Sequence, residues 1–147
     1  MLDTMDRGEK GYADLHIHTV FSDGTLTPLE VVRSAEEAGL RAISLTDHDS
    51  VGGIEEGMRA GEEMGVEVLP GLELSAWVGD DEIHILGYFI GHTDQELLRT
   101  LTNIRAARER RAEEIVLKLR KLGVYLDLSD ILAEAGLGAV GRPHVAE

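Results

Sequence analysis

Three observations predict an α/β fold in which parallel strands are joined by helical crossovers. Short apolar runs at 12–18, 42–46 and 66–71 alternate with stretches of helical periodicity. Helix signals bracket the first intervening segment, with Thr27-Pro28-Leu29-Glu30 at its start and Gly39 at its end. Metal-competent side chains gather where the strands finish, which is where α/β proteins place their active-site groups.

The first strand, 12–18, runs into the loop Phe21-Ser22-Asp23-Gly24. Its His16 and His18, at i and i+2, project to one side, and Ala13, Leu15 and Ile17 take the other, where helices would cover them. Thr27 then reads as an N-cap, Pro28 as the first helical residue and Glu30 as the closing member of a capping box, with Val31, Val32, Ala35 and Ala38 as the apolar stripe. The second strand, 42–46, ends in Asp47-His48-Asp49. Strand, helix and strand form a βαβ unit, which requires a parallel pair.

Ser50 is expected to cap a second helix, 51–64, with Ile54, Met58 and Met64 facing inward. Its glycines, Gly52, Gly53, Gly57 and Gly61, each weaken it by about 1 kcal/mol relative to alanine, so it must rely on packing. The third strand, 66–71, continues through 72–77, and the turn Gly79-Asp80-Asp81 leads back along 82–89. That pair reads as a hairpin, which argues against a strictly regular eightfold barrel.

From Asp94 the apolar residues Leu97, Leu101, Ile104, Ile115, Leu119 and Leu122 recur at helical spacing. They predict one long helix, or two joined near the arginines, ending at Gly123, and then a short helix at 129–135 capped by Ser129. Arg105, Arg108, Arg110 and Arg111 interrupt the stripe. Two readings stand: a solvated face neighboured by Glu109, Glu113 and Glu114, or a patch that meets phosphate.

Composition narrows the chemistry. A chain of 147 residues with 43% apolar side chains suffices for one compact domain. The sequence has no cysteine, so disulfides and thiolate metal sites are excluded, and any metal must be held by His, Asp and Glu. Residues 1–10 mix charges and hold no apolar run, so a soluble cytoplasmic protein without a membrane span is expected. The net charge of −14 is uneven: residues 1–98 hold 21 acidic and 5 basic side chains, residues 99–147 hold 7 and 9. So acidic a first part argues against an extended nucleic-acid surface, whose affinity comes from neutralising phosphates. A small anionic substrate held through metal ions remains open.

Read at the strand ends, the candidate ligands are His16, His18 and Asp23, then His48, Glu73 and His84. For an isolated His-x-His, two hydrogen-bonded histidines in a polar pocket would be the favoured reading. Six candidates from four strands, including four of the chain's six histidines, point instead to a divalent metal held by nitrogen and oxygen. Asp47 is expected to orient an imidazole from behind, Asp49 to cap the following helix with Ser50, and His92 to lie in a surface loop.

Asp14-Leu15-His16-Ile17-His18-Thr19 with Phe21-Ser22-Asp23-Gly24, Thr46-Asp47-His48-Asp49, Pro70-Gly71-Leu72-Glu73-Leu74-Ser75, Glu82-Ile83-His84-Ile85-Leu86-Gly87-Tyr88 and Gly141-Arg142-Pro143-His144 resemble the successive motifs of the polymerase and histidinol phosphatase, or PHP, domain family. The resemblance implies a distorted seven-stranded β/α barrel around two or three divalent ions, usually manganese, iron or zinc. His16, His18, Asp23, His48, Glu73 and His84 would be the ligands, with Glu73 bridging. Arg142 and His144 would contact the substrate phosphate, as a guanidinium fork and a hydrogen-bond or catalytic proton donor.

The branch most resembled comprises nucleoside 3′,5′-bisphosphate phosphatases and 5′-to-3′ exoribonucleases. It implies a metal-dependent phosphoesterase in which a metal-bound hydroxide attacks phosphorus of a nucleotide or short RNA. Residues 1–93 would be the N-terminal part of the barrel, 94–140 a helical insertion and 141–147 the start of the return to the barrel. Family members carry a further histidine and an Asp-x-His pair downstream, so the chain is expected to be a fragment. A metal-binding but non-catalytic module is the alternative that this difference raises. Histidinol phosphate hydrolysis is a weaker one, against which the helical insertion argues. The sequence does not disclose the oligomeric state.

Overall fold

The computed structural model describes residues 11–79, 81–136, 138 and 140. Four strands, β1 (Tyr12–Ile17), β2 (Leu40–Leu45), β3 (Glu67–Val78) and β4 (Asp81–Tyr88), form one curled sheet in chain order. β1, β2 and β3 are parallel, whereas β3 and β4 form an antiparallel hairpin from Val78↔Asp81 to Gly71↔Tyr88. The fold is therefore mixed α/β as predicted, with four of the expected seven strands among the described residues.

The crossovers are α1 (Pro28–Glu37) and α2 (Ile54–Met64). Thr27 and Glu30 close the capping box as read from the sequence, Pro28 opens the helix, and Gly39 follows it at φ 73°. Val31, Val32 and Ala35 are buried against Ile43 and Leu45 of β2, Ala60 of α2, and Val66 and Val68 at the start of β3, with Met58 and Met64 at the margin. Ala38, expected in that stripe, is the exposed C-cap.

α2 starts three residues later than predicted, and Ser50 does not cap it. The Ser50 hydroxyl accepts the Gly52 N–H at 3.3 Å, and Gly53 stands at the N-cap with no side-chain bond. Two of its glycines are required by contact. A Cβ at Gly57 would lie 2.5 Å from Leu45 Cδ1, and one at Gly61 would lie 2.5 Å from the Val66 carbonyl oxygen. The helix thus spends intrinsic propensity to lie close on the sheet.

β1 departs from expectation on its outer face. Only Ile17 joins the core, whereas Leu15 is 40% exposed and Ala13 is exposed too. Among the described residues β1 is an edge strand, and the helix pair covers the sheet only as far as Ile17.

α3 (Gln95–Lys121) is one uninterrupted helix through the arginines, capped by Asp94 and ended before Gly123 at φ 86°. α4 (Leu128–Ala135) packs on it through a second core of Ala112, Val116, Ile131, Ala135 and Val140. Asp127, not Ser129, caps α4: its carboxylate accepts the Ser129 N–H at 2.9 Å and hydroxyl at 2.7 Å. Those bonds favour the ionised Asp127, whose pKa is lowered.

Candidate metal centre

Strand pairing delivers the candidate ligands to one side of the sheet. Ile17 pairs with Leu45, and Ile17 turns towards the helices, so His16 and His18 turn to the opposite face. β2 does not stop cleanly at Leu45. His48 makes an isolated parallel bridge to Glu73, with Asp49 N–H donating to the Glu73 carbonyl at 3.0 Å and Glu73 N–H to the Asp47 carbonyl at 3.3 Å. On β4, His84 is paired with Ser75, which puts it diagonally beside Glu73 on the same face.

The loop carrying Asp23 is held from below. Asp47, 2% exposed, accepts the Thr19 N–H at 2.7 Å, the Thr19 hydroxyl at 2.8 Å and the Ser22 hydroxyl at 2.6 Å. Asp47 therefore supports the site by fixing the 19–22 turn, in place of the expected bond to an imidazole. Gly24 closes this turn against the His18 carbonyl, where a Cβ would not fit.

At the centre sits Glu73, 5% exposed. Its Oε2 lies 2.9 Å from His16 Nε2, 2.8 Å from His18 Nε2 and 3.7 Å from His48 Nδ1, while Oε1 lies 2.7 Å from His84 Nδ1. Asp23 extends the cluster: Oδ1 is 2.7 Å from His18 Nδ1, and Oδ2 is 3.6 Å from His48 Nε2. Three sets of donors converge within 4.8 Å: His16, His18 and Glu73; His18, Asp23 and His48; His48, Glu73 and His84. All six predicted ligands are thus brought together. Arg142 and His144 lie outside the described residues.

These residues suit a divalent ion on two counts. The donor set is imidazole and carboxylate, which serves zinc, iron and manganese. His48 Nδ1 is buried with no hydrogen-bond partner among the described residues, a costly arrangement that a cation would relieve. His16 and His84 are 51% and 40% exposed, so the cluster opens to solvent on two sides.

The electrostatics follow from these contacts. The hydrogen bond to Asp23 raises the pKa of His18 above its usual 6.5, with burial working against it, and the same bond lowers Asp23 to about 2. Burial lowers His48. Burial would raise Glu73, but the hydrogen bonds from His16 and His84 and the His48 charge outweigh it and lower its pKa.

Three residues beside the cluster take roles the sequence reading did not assign: Asp49, Ser75 and Arg108. Asp49, at φ 49°, turns its carboxylate inward to accept the Ser75 N–H at 2.9 Å and Arg108 Nε–H at 2.7 Å, and so does not cap α2. Arg108 falls in helical register with Leu101, Ile104, Ala112 and Ile115, and that inward-facing position was the available signal. Of the other arginines, Arg105 donates to the Gly138 carbonyl at 3.0 Å, and Arg111 lies 5.5 Å from the Trp77 ring centroid. Arg110 is exposed. The arginine stretch is thus partly an internal docking device. His92 lies in the loop between β4 and α3 as expected.

A cleft of about 320 Å³ is lined by Phe21, residues 49–52, and Leu98, Leu101, Thr102 and Arg105 of α3. Its walls belong to the same loops that carry Asp23 and His48.

Comparison with known proteins gives a consistent picture. The family described as PHP domain matches residues 14–87, half of the chain. A 5′-3′ exoribonuclease of Haemophilus influenzae is 40% identical over 90% of this chain and 48% of its own length. A 3′,5′-nucleoside bisphosphate phosphatase of Chromobacterium violaceum is 37% identical over 76% of this chain and 39% of its own. A solved chain from Bifidobacterium adolescentis, described as a metal-dependent phosphoesterase, superposes with a TM-score of 0.82 at 36% identity, covering 91% of this chain and 48% of that one. The chain spans about half the length of the relatives it matches.

Proposed function

Since this chain belongs to the PHP domain family, we propose that its histidine and carboxylate cluster is the centre of a metal-dependent phosphoesterase acting on nucleotides or short oligonucleotides. The observation that carries this reading is the position of Glu73. Its two oxygens face different histidines, Oε2 towards His16, His18 and His48 and Oε1 towards His84, so Glu73 would serve as a carboxylate ligand beside both groups.

His16, His18, Asp23, His48, Glu73 and His84 would hold two or three ions of manganese, iron or zinc. When bound, such ions acidify water and neutralise charge developing on phosphoryl oxygens. The protein's own contribution is to fix the donors. Asp47 locks the Asp23 loop, and the backbone bridge from His48 to Glu73 sets the spacing between two of them. Arg142 and His144, assigned by their Gly-Arg-Pro-His motif, would hold the phosphate and supply a proton to the leaving oxygen. The four strands would be part of the family's distorted seven-stranded barrel.

The cleft beside Phe21 fits the organic part of such a substrate. It offers Phe21, Leu98 and Leu101 as apolar walls for a flat ring. The test is hydrolysis of a nucleoside 3′,5′-bisphosphate and of a 5′-phosphorylated short RNA by the Mn²⁺-loaded protein. Activity should vanish on chelation and return with Mn²⁺. Full activity in chelator would contradict the proposal, and metal bound without turnover would favour a non-catalytic module.

A further inference from the structure

Arg108 reaches out of α3 into the sheet. Its side chain is 14% exposed and meets Asp49, whose side chain is fully buried, through Nε at 2.7 Å. Its Nη2 donates to the Ser75 hydroxyl, and Nη1 donates to the Val140 carbonyl at 3.4 Å. Asp49 immediately follows His48, and Ser75 stands two residues beyond Glu73. One guanidinium therefore ties together the two segments that present these ligands, which the Ser75 N–H to Asp49 bond also joins.

We propose that Arg108 is a positioning residue for the metal centre, so that docking of α3 and binding of metal favour each other. The proposal rests on the metal-centre reading above. A fully buried carboxylate keeps its place only while its charge is paired. Asp49 also holds a left-handed φ of 49°, which a non-glycine residue keeps only when its surroundings impose it. Without the guanidinium, Asp49 has reason to turn outward, and His48 moves with it. Coupling of this kind is reciprocal: whatever Arg108 contributes to metal affinity, metal returns as stability of the docked helix.

Zn²⁺ alone is the probe, titrated into the whole chain against a competing chelator, with amide hydrogen exchange of α3 followed in parallel. In Arg108→Met the Zn²⁺ affinity should fall by about 10- to 100-fold, the range for groups that support ligands. The protection that Zn²⁺ confers on α3 amides should disappear as well. Arg108→Lys, which keeps the charge without the fork, should recover part of the affinity. Val116→Ala thins the core between α3 and α4, which includes neither Asp49 nor Ser75, and should lower the melting temperature with Zn²⁺ affinity unchanged. Ser75→Ala, which removes one arm only, decides the matter if Arg108→Met does not fold, and its affinity should fall by a smaller factor. Folded Arg108→Met, or Ser75→Ala in its stead, binding Zn²⁺ as tightly as the parent would overturn the proposal. A parent chain that binds no Zn²⁺ would instead remove the metal-centre reading itself.

Discussion

His48 and Glu73 are joined twice, by a parallel backbone bridge and by the approach of His48 Nδ1 to within 3.7 Å of Glu73 Oε2. The backbone bridge sets the spacing, and the side chains inherit it. That distance is too long for a hydrogen bond and leaves a buried nitrogen open to a cation.

Glu73→Gln keeps the shape of this side chain and removes its charge. Metal affinity should fall by more than about 100-fold, beyond the loss typical of groups that only support ligands. Isothermal titration with Zn²⁺ measures it, and far-ultraviolet circular dichroism should show the fold retained.

Asp47→Asn should act on the site from a distance. The amide cannot accept from Thr19 N–H, the Thr19 hydroxyl and the Ser22 hydroxyl as the carboxylate does. The Asp23 loop should loosen, with metal affinity reduced about 10- to 100-fold, whereas an exposed control such as Glu37→Gln should leave it unchanged.

Acid should release the metal, because protons compete for the imidazoles. The raised pKa of His18 makes its protonation, and with it the loss, begin above pH 6.5, while Asp23 stays ionised down to about 2. In metal-free protein the sign reverses for His18. Its raised pKa contributes stability that is complete below 6.5 and is lost as pH rises through the folded value. Melting curves with and without Zn²⁺ across this window should therefore diverge as pH increases.

Gly57→Ala tests the packing beneath the site. The added methyl would meet Leu45 Cδ1 at 2.5 Å, so despite a gain in helix propensity the protein should lose about 1–3 kcal/mol of stability, read by urea denaturation. The paired Leu45→Ala change should relieve part of the clash at the cost of its own cavity.

What the sequence disclosed was largely local. Thr27 and Glu30 cap α1 through neighbours three residues apart, and the pleat alone sends His16 and His18 to one face. The six candidate ligands were legible because strand ends collect them. Relations across the chain were not. Asp49 looked like a helix cap, and only the approach of α3, 59 residues on, shows its carboxylate meeting Arg108. Asp47 was expected behind an imidazole because it adjoins His48, but the fold brings Thr19 and Ser22 to it first. Ser129 lost the α4 cap to Asp127, whose carboxylate is the stronger acceptor.

Elemental analysis of protein equilibrated with Mn²⁺ or Zn²⁺ and then gel-filtered counts the ions that the histidine and carboxylate cluster holds. At least two ions per chain are expected for the parent, with a loss of that stoichiometry in Glu73→Gln. A parent chain carrying no stoichiometric metal, or one whose metal is untouched by loss of Glu73, would contradict it.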